Sequence, residues 1–359
     1  MPYGSEVEIV ESYGEVESEY AAIRKGVTLM DAPHRGVLIL TGKDRLGFLN
    51  NKLTNDTGKL TAGQGVYAFL LNLKGRIVQD MNVLQTEDAT LLEMDVRVVG
   101  SLAAQFEKYL FTEDVKILGN ESGQLGRLTI AGPKAAALLQ KVCDAGVETL
   151  TEPLCSGKRS IAKVTVTVFR NDLCGEPGYE LIVPRDQLVT LWQVLHEAGG
   201  GNGHEGDAGD LHLRAIGWSA FNTARIEAGM PLYGIDITDA YLPMETGPGF
   251  ARGVNLHKGC YLGQEIVARM HSRDSVARKL VGLRVAGEKI PIAGTDILDD
   301  QNAQIGIITS SCTSPMLGNM PIAMGYVKRA FAETGRVVDV YADGAHARAT
   351  VADLPFWKK

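Results

Sequence analysis

The pattern of apolar residues changes once along this chain, near Arg278, and that change limits the fold more than any other feature. Upstream of it, helix-like and strand-like periods alternate irregularly, which points to an α+β fold. Downstream, short β segments at Leu280–Val285, Ile305–Ser310, Ala323–Lys328 and Val337–Tyr341 are separated by Gly, Pro, Asp and Asn. That is the pattern of a separate β barrel or sandwich. The 359 residues are therefore expected to divide into a mixed region, 1–275, and a β domain, 276–359, a division in keeping with ordinary domain sizes.

Within the mixed region, helices are expected at Ser18–Lys25, Lys43–Leu53, Ser101–Leu110 and Arg185–Ala198, and after Gly132-Pro133 as far as Val142. Leu46, Leu49 and Leu53 recur at the spacing of one buried helix face. Strands are expected at Val37–Leu40, Gly65–Asn72, Arg76–Gln85 and Thr90–Asp95, and again at Ser160–Phe169 and Tyr179–Val183. Leu73-Lys74-Gly75 is a short hairpin connection. The Gly-rich stretch Gly199–Gly209 reads as a surface loop.

Composition removes several classes of function. A net charge of −7 argues against a general nucleic-acid or membrane-surface binder, because such binding draws on clustered Lys and Arg. No apolar run approaches the ~20 residues of a membrane helix. Met1–Glu19 is acidic and lacks the apolar stretch of a signal, so a cytoplasmic protein is expected. The five cysteines are scattered, odd in number and include no Cys-x-x-Cys pair, so no disulfide framework is expected. The seven histidines never fall at a spacing that seats a metal on one helix face, and no metal site is expected.

Four segments carry candidate chemistry. In His257–Arg269, HKGCYLGQEIVAR, Cys260 lies between glycines just before a helical pattern, with Lys258 two residues away. On residue type alone such a cysteine is a small packed residue in a tight turn; a helix N-terminus and a nearby cation also stabilise a thiolate. Asp80 ends the Tyr67–Asp80 hairpin, and on residue type alone reads as a hydrogen-bonded carboxylate at a strand end. Glu180 follows the loop Cys174-Gly175-Glu176-Pro177-Gly178-Tyr179, where a carboxylate suits paired N–H donors. In Arg225-Ile226-Glu227-Ala228-Gly229, the two charges read as a buried ion pair ordering a turn, with Gly229 ending a helix before Pro231.

Taken together these words resemble one family. Lys258-Gly259-Cys260-Tyr261-Leu262-Gly263-Gln264-Glu265 resembles the mark of YgfZ-like folate-binding proteins, a branch of the glycine-cleavage T-protein superfamily. Arg225–Gly229 is similar to a word shared across that superfamily, and the Glu176–Leu181 loop to its pterin-binding loop. The resemblance implies a three-subdomain cloverleaf with a central folate channel and a C-terminal β barrel. It implies tetrahydrofolate, or a one-carbon derivative of it, as cofactor, with Arg35, Tyr67, Asp80, Glu180 and Phe221 lining the pocket and Cys260 at or near its mouth. Phe221 stands where T-proteins carry arginine, and Arg35 where the two branches carry methionine or an aromatic residue.

Two functions follow from the resemblance. One is an accessory protein for iron–sulfur cluster assembly or repair, dependent on Cys260, with iron–sulfur enzymes or assembly proteins as partners. The alternative is a folate-dependent aminomethyltransferase that uses Asp80, the position of the catalytic acid in T-proteins.

Overall fold

Ala162 and Lys163 both take positive φ, 51° and 68°, and that local feature changes the strand count from the one expected. The single strand expected at Ser160–Phe169 is two, Ser156–Ile161 and Val164–Arg170, paired antiparallel across the two-residue turn. Such turns usually carry Asn or Gly; an Ala-Lys pair inside an alternating run conceals one.

The structure is a computed structural model that describes residues 1–4, 7–118, 124–200, 211–273 and 276–357. Residues 201–209 of the expected Gly-rich loop lie outside the described residues. The chain forms two compact units: Met1–Ala68 with Asp80–Phe221, and Phe69–Gln79 with Asn222–Lys359. These units are not successive stretches of sequence, since Phe69–Gln79 groups with the residues after Asn222. The second unit takes in the segment from Asn222 because buried polar contacts tie it to the barrel, and the hairpin tip because that segment holds it: Tyr233 Oη donates to the Val78 carbonyl at 2.6 Å and Ile77 N–H to that of Tyr241 at 3.1 Å. Arg225, 1% exposed, pairs with Asp236 and donates to Ser310 Oγ at 2.7 Å. Thr309 and Ser310 both donate to Asp236 Oδ1. The partner of Arg225 is thus Asp236, whereas Glu227, expected to pair with it, accepts from Ser314 Oγ.

In the first unit, six strands run in the order Ser156–Ile161, Val164–Arg170, Gly178–Pro184, Leu125–Ala131, Val27–Asp31, Leu213–Ala215. All neighbours are antiparallel except the last pair. Strand alternation gives this sheet two different faces. Leu128, Ile130, Leu181 and Val183 point to one side, where Leu138, Leu139, Leu191 and Leu195 of helices Ala135–Val142 and Leu188–Ala198 complete an apolar core. Each such leucine contributes about 1.5–3 kcal/mol by leaving water. The alternate residues Arg127, Thr129 and Glu180 must occupy the opposite face, and they too are buried.

A second sheet has five strands in the order Gly65–Leu71, Ile77–Gln85, Thr90–Asp95, Arg35–Thr41, Lys116–Leu118. Every residue of Thr90–Asp95 is buried, including Glu93 at 1% and Asp95 at 1%. An acid inside an otherwise apolar strand needs a partner, and the partners define the site described below.

In the second unit the barrel closes through Arg278–Val285, Met320–Lys328, Gln304–Ser314, Asp296–Leu298, Val337–Ala342 and Ala345–Ala352. Leu283, Ile297, Ile308, Val327, Val340 and Val351 fill its interior. Gly263, at φ +81°, would bring a Cβ within 2.7 Å of the Asn72 carbonyl oxygen, and a Cβ on Gly75 would come within 2.8 Å of Ile266. These two glycines let helix Gln264–Arg273 rest on the hairpin tip, so part of the Lys258–Glu265 word is fixed by packing.

Candidate functional site

Glu93 is the hub of a buried charged layer in the first unit. Its Oε1 and Oε2 accept from Arg35 Nε at 2.5 Å and Nη2 at 2.9 Å, a two-pronged pairing that fixes both side chains. Its Oε1 also lies 2.7 Å from Arg127 Nη1, and Asn82 Nδ2 donates to Oε2 at 2.7 Å. Arg127 reaches Glu180 with its other terminal nitrogen, Nη2 to Oε2 at 2.9 Å, and Thr129 Oγ1 donates to the same oxygen at 2.6 Å. The two sheets thus meet through a run of alternating charge, Arg35–Glu93–Arg127–Glu180.

Asp80 stands beside this run, 6% exposed, with Tyr67 Oη donating to its Oδ2 at 2.7 Å. Burial pushes its carboxyl up to about 6; Arg35 and the Tyr67 hydrogen bond pull against burial, while Glu93 and Asp95 add to it. Glu93 behaves in the opposite way. Burial would raise it, but Arg127 and Arg35 together outweigh burial and hold it down at about 2. Burial raises Glu180 against the pull of Arg127. Neighbouring acids therefore differ in proton affinity because guanidinium contacts are distributed unevenly among them.

An aromatic wall adjoins the layer. His34 is 6% exposed, with ring centroids of Tyr3, Trp218 and Phe221 at 5.5, 5.3 and 6.4 Å. Burial, helped by Arg35 and Arg127, lowers His34 to about 3, so its imidazole is neutral. Tyr3 donates to Asp95 Oδ2 at 2.5 Å, and Arg97 clasps the same carboxylate. An open cleft of about 390 Å³ elsewhere in this unit is lined by Tyr13, Glu19, His196, His212 and Arg214. Its buried acid, Glu19, is taken up by the backbone N–H groups of Tyr13, Gly14 and Gly217.

Both parts of the chain match models of one family. Residues 4–257 match the GCVT N-terminal domain, and residues 278–358 match the glycine cleavage T-protein C-terminal barrel domain. The chain belongs to the glycine cleavage T-protein family. It is 32% identical over 350 residues to an aminomethyltransferase of Caldanaerobacter subterraneus subsp. tengcongensis, covering 95% of this chain and 88% of that one. It is 29% identical over 353 residues to the aminomethyltransferase of Bacillus subtilis strain 168, covering 98% and 93%. The crystal structure of glycine cleavage system aminomethyltransferase T from Bartonella henselae superimposes with a TM-score of 0.83 at 25% identity, covering 97% and 91%. The T-protein fold, with its closed barrel of six strands, is therefore the fold of this chain.

Within this T-protein frame the expected site residues separate. Tyr67 and Asp80 touch directly. Arg35 and Glu180 join the same layer through Glu93 and Arg127, and Phe221 packs against His34. Arg35 is not a surface arginine: its side chain is 18% exposed and Glu93 holds it. Cys260 belongs to the second unit and is exposed, while Cys174 and Cys312 are buried. Glu93, Arg127, Asn82 and His34 were not singled out from sequence. The signal for the first two was a charged residue at an inward position of an apolar strand, Leu-Leu-Glu93-Met and Gly-Arg127-Leu. Among the described residues no His, Cys, Asp and Glu cluster is arranged to hold a metal ion, and no helix is long and apolar enough to cross a membrane.

Proposed function

We propose that this protein is a tetrahydrofolate-dependent aminomethyltransferase in which Asp80 is the carboxylate facing the reacting nitrogen. The observation that carries this reading is the state of Asp80. It is a buried acid, oriented by the Tyr67 hydroxyl and pushed up to about 6 by burial, so it is ionised at neutral pH yet poorly solvated. Such a group stabilises nearby positive charge without reorganisation. The shared name of the curated relatives supports the reaction class.

The residues present fit the cofactor. A reduced pterin offers amino and ring N–H donors, and the layer offers buried acceptors. Glu180 is held in place by Arg127 and Thr129. Asn82 Oδ1 and His34 Nδ1 are buried with no hydrogen-bond partner among the described residues. The Asn82 amide is oriented by its donation to Glu93, which turns its oxygen away from that acid. Tetrahydrofolate, when bound, supplies the nitrogens that carry the one-carbon unit. Glu180, Asn82 and His34 accept its N–H groups, Phe221 and Trp218 present apolar surface, and ionised Asp80 stabilises charge.

The test is transfer from an aminomethyl-loaded lipoyl carrier to tetrahydrofolate. Carrier-dependent methylene-tetrahydrofolate formation is expected, with kcat/KM falling below about pH 6 as Asp80 takes up a proton. Tetrahydrofolate binding without product would remove the transferase reading.

A second reading, support of iron–sulfur cluster assembly or repair, draws on the exposure of Cys260 just before helix Gln264–Arg273. Cys260→Ser separates the two. The transferase reading expects unchanged carrier-dependent turnover, whereas the accessory reading expects iron–sulfur enzyme activities to fall in cells that depend on the variant.

A further inference from the structure

Three buried side chains converge on Glu93, and each leads to a residue with a stated role. Arg35 pairs with Glu93 and its charge acts on the Asp80 carboxyl. Asn82 presents its unpartnered oxygen on the strand that carries Asp80. Arg127 passes from Glu93 to Glu180 on the other sheet. Glu93 itself is 1% exposed; its two oxygens accept from Arg35 and Asn82, and Oε1 also lies 2.7 Å from Arg127 Nη1. It lies opposite Asn82 in one strand pair and opposite Val37, two residues from Arg35, in the other. A carboxylate is the one side chain that can hold two guanidiniums and an amide at once; an amide in its place would present a single acceptor oxygen.

We propose that Glu93 is a positioning residue for the transfer reaction: it fixes Arg35, Asn82 and Arg127 so that Asp80 and Glu180, on different sheets, address one bound folate in register. The proposal rests on the transferase reading for its reaction but not for its geometry. Glu93 acts through these three side chains. Its charge matters as well as its shape, since it faces Asp80 within a set that includes Arg35, Tyr67 and Asp95.

The experiment uses the full chain with Glu93→Gln and Glu93→Asp. In each, the Asp80 carboxyl is followed by carbon NMR titration, and tetrahydrofolate affinity, kcat and KM are measured. Glu93→Gln removes a negative neighbour and leaves Arg35 free to turn toward Asp80. The Asp80 midpoint is therefore expected to fall by about one unit, with kcat lowered and KM for tetrahydrofolate raised. Should Glu93→Gln fail to fold, Glu93→Asp retains the charge but is one methylene too short to span both guanidiniums. There the midpoint is expected to hold while tetrahydrofolate affinity drops about tenfold, the equivalent of about 1.4 kcal/mol. A residue with a purely structural role would lower the melting temperature and leave the midpoint and the kinetic constants where they were; that result, or wild-type constants in Glu93→Asp, overturns the proposal. Absence of transfer in the wild type would instead remove the transferase reading, and the Asp80 titration would still decide the role of Glu93.

Discussion

Asp80→Asn is expected to lower kcat for carrier-dependent transfer by about two orders of magnitude or more, the usual contribution of a placed acid or base, while making the protein more stable. The two effects share one cause. Asparagine has the shape of aspartate and can still accept from the Tyr67 hydroxyl at Oδ1, so the site keeps its form and tetrahydrofolate affinity changes little. What is lost is the charge, which is the part the reaction uses. The carboxyl of Asp80 stands at about 6 in the fold, against 3.8 without its surroundings. The folded protein therefore binds this proton more tightly than the unfolded chain does. Stability from the protonated form is full below about pH 4 and is lost as pH rises through about 6. By pH 7 the ionised acid costs about 3 kcal/mol, at 1.36 kcal/mol per unit. Asparagine carries no such cost, so its melting temperature should exceed that of the wild type at pH 7, and the gap should close toward pH 4. Melts across that range, set beside kcat, test both halves. Full activity in the variant would show that charge at this position is not used.

How much of this was legible in the sequence depends on whether the physical cause is local. The barrel was legible because strand alternation and turn residues are local signals, and Leu280–Val285 and Val337–Tyr341 fall inside the observed strands Arg278–Val285 and Val337–Ala342. The hairpin at Ala162-Lys163 was not, because its left-handed backbone is imposed by the pairing of Ser156–Ile161 with Val164–Arg170 and not by its own residues. Asp80, Tyr67 and Glu180 were reached through resemblance. Glu93 and Arg127 each showed in the sequence as a lone charge in an apolar run, but only the packing of two sheets makes them partners. Cys260 shows the reverse. Its surrounding word was the most specific in the chain, yet Gly263 in that word is fixed by its close approach to Asn72, and the curated relatives carry the name aminomethyltransferase.

Arg127→Ala should be the most destabilising single change in the first unit. Arg127 is 2% exposed and serves Glu93 on one sheet and Glu180 on the other. Removing it leaves buried Glu180 without its guanidinium and takes from Glu93 one of its two, and breaking a buried pair from one side costs about 3–5 kcal/mol. In a unit of this size that lowers the melting temperature by roughly 10 °C. Packing offers a competing explanation, because the guanidinium also lies 5.0 Å from the Phe169 ring centroid, and losing that contact would destabilise as well. The pH dependence separates the two causes. Glu93 stands at about 2 because Arg127 and Arg35 outweigh the effect of burial. Without Arg127 both Glu93 and Glu180 should take up protons more readily, so acid relieves the stranded charge, whereas a lost ring contact is indifferent to pH. The deficit of Arg127→Ala against wild type is expected to shrink as pH falls from 7 toward 4.5. Arg127→Met, which restores most of the volume, should retain most of the deficit at pH 7. A deficit that is constant with pH and repaired by methionine would mean that Arg127 is held for its packing, and that the charged layer between the sheets contributes little to holding Glu93 and Glu180 in place.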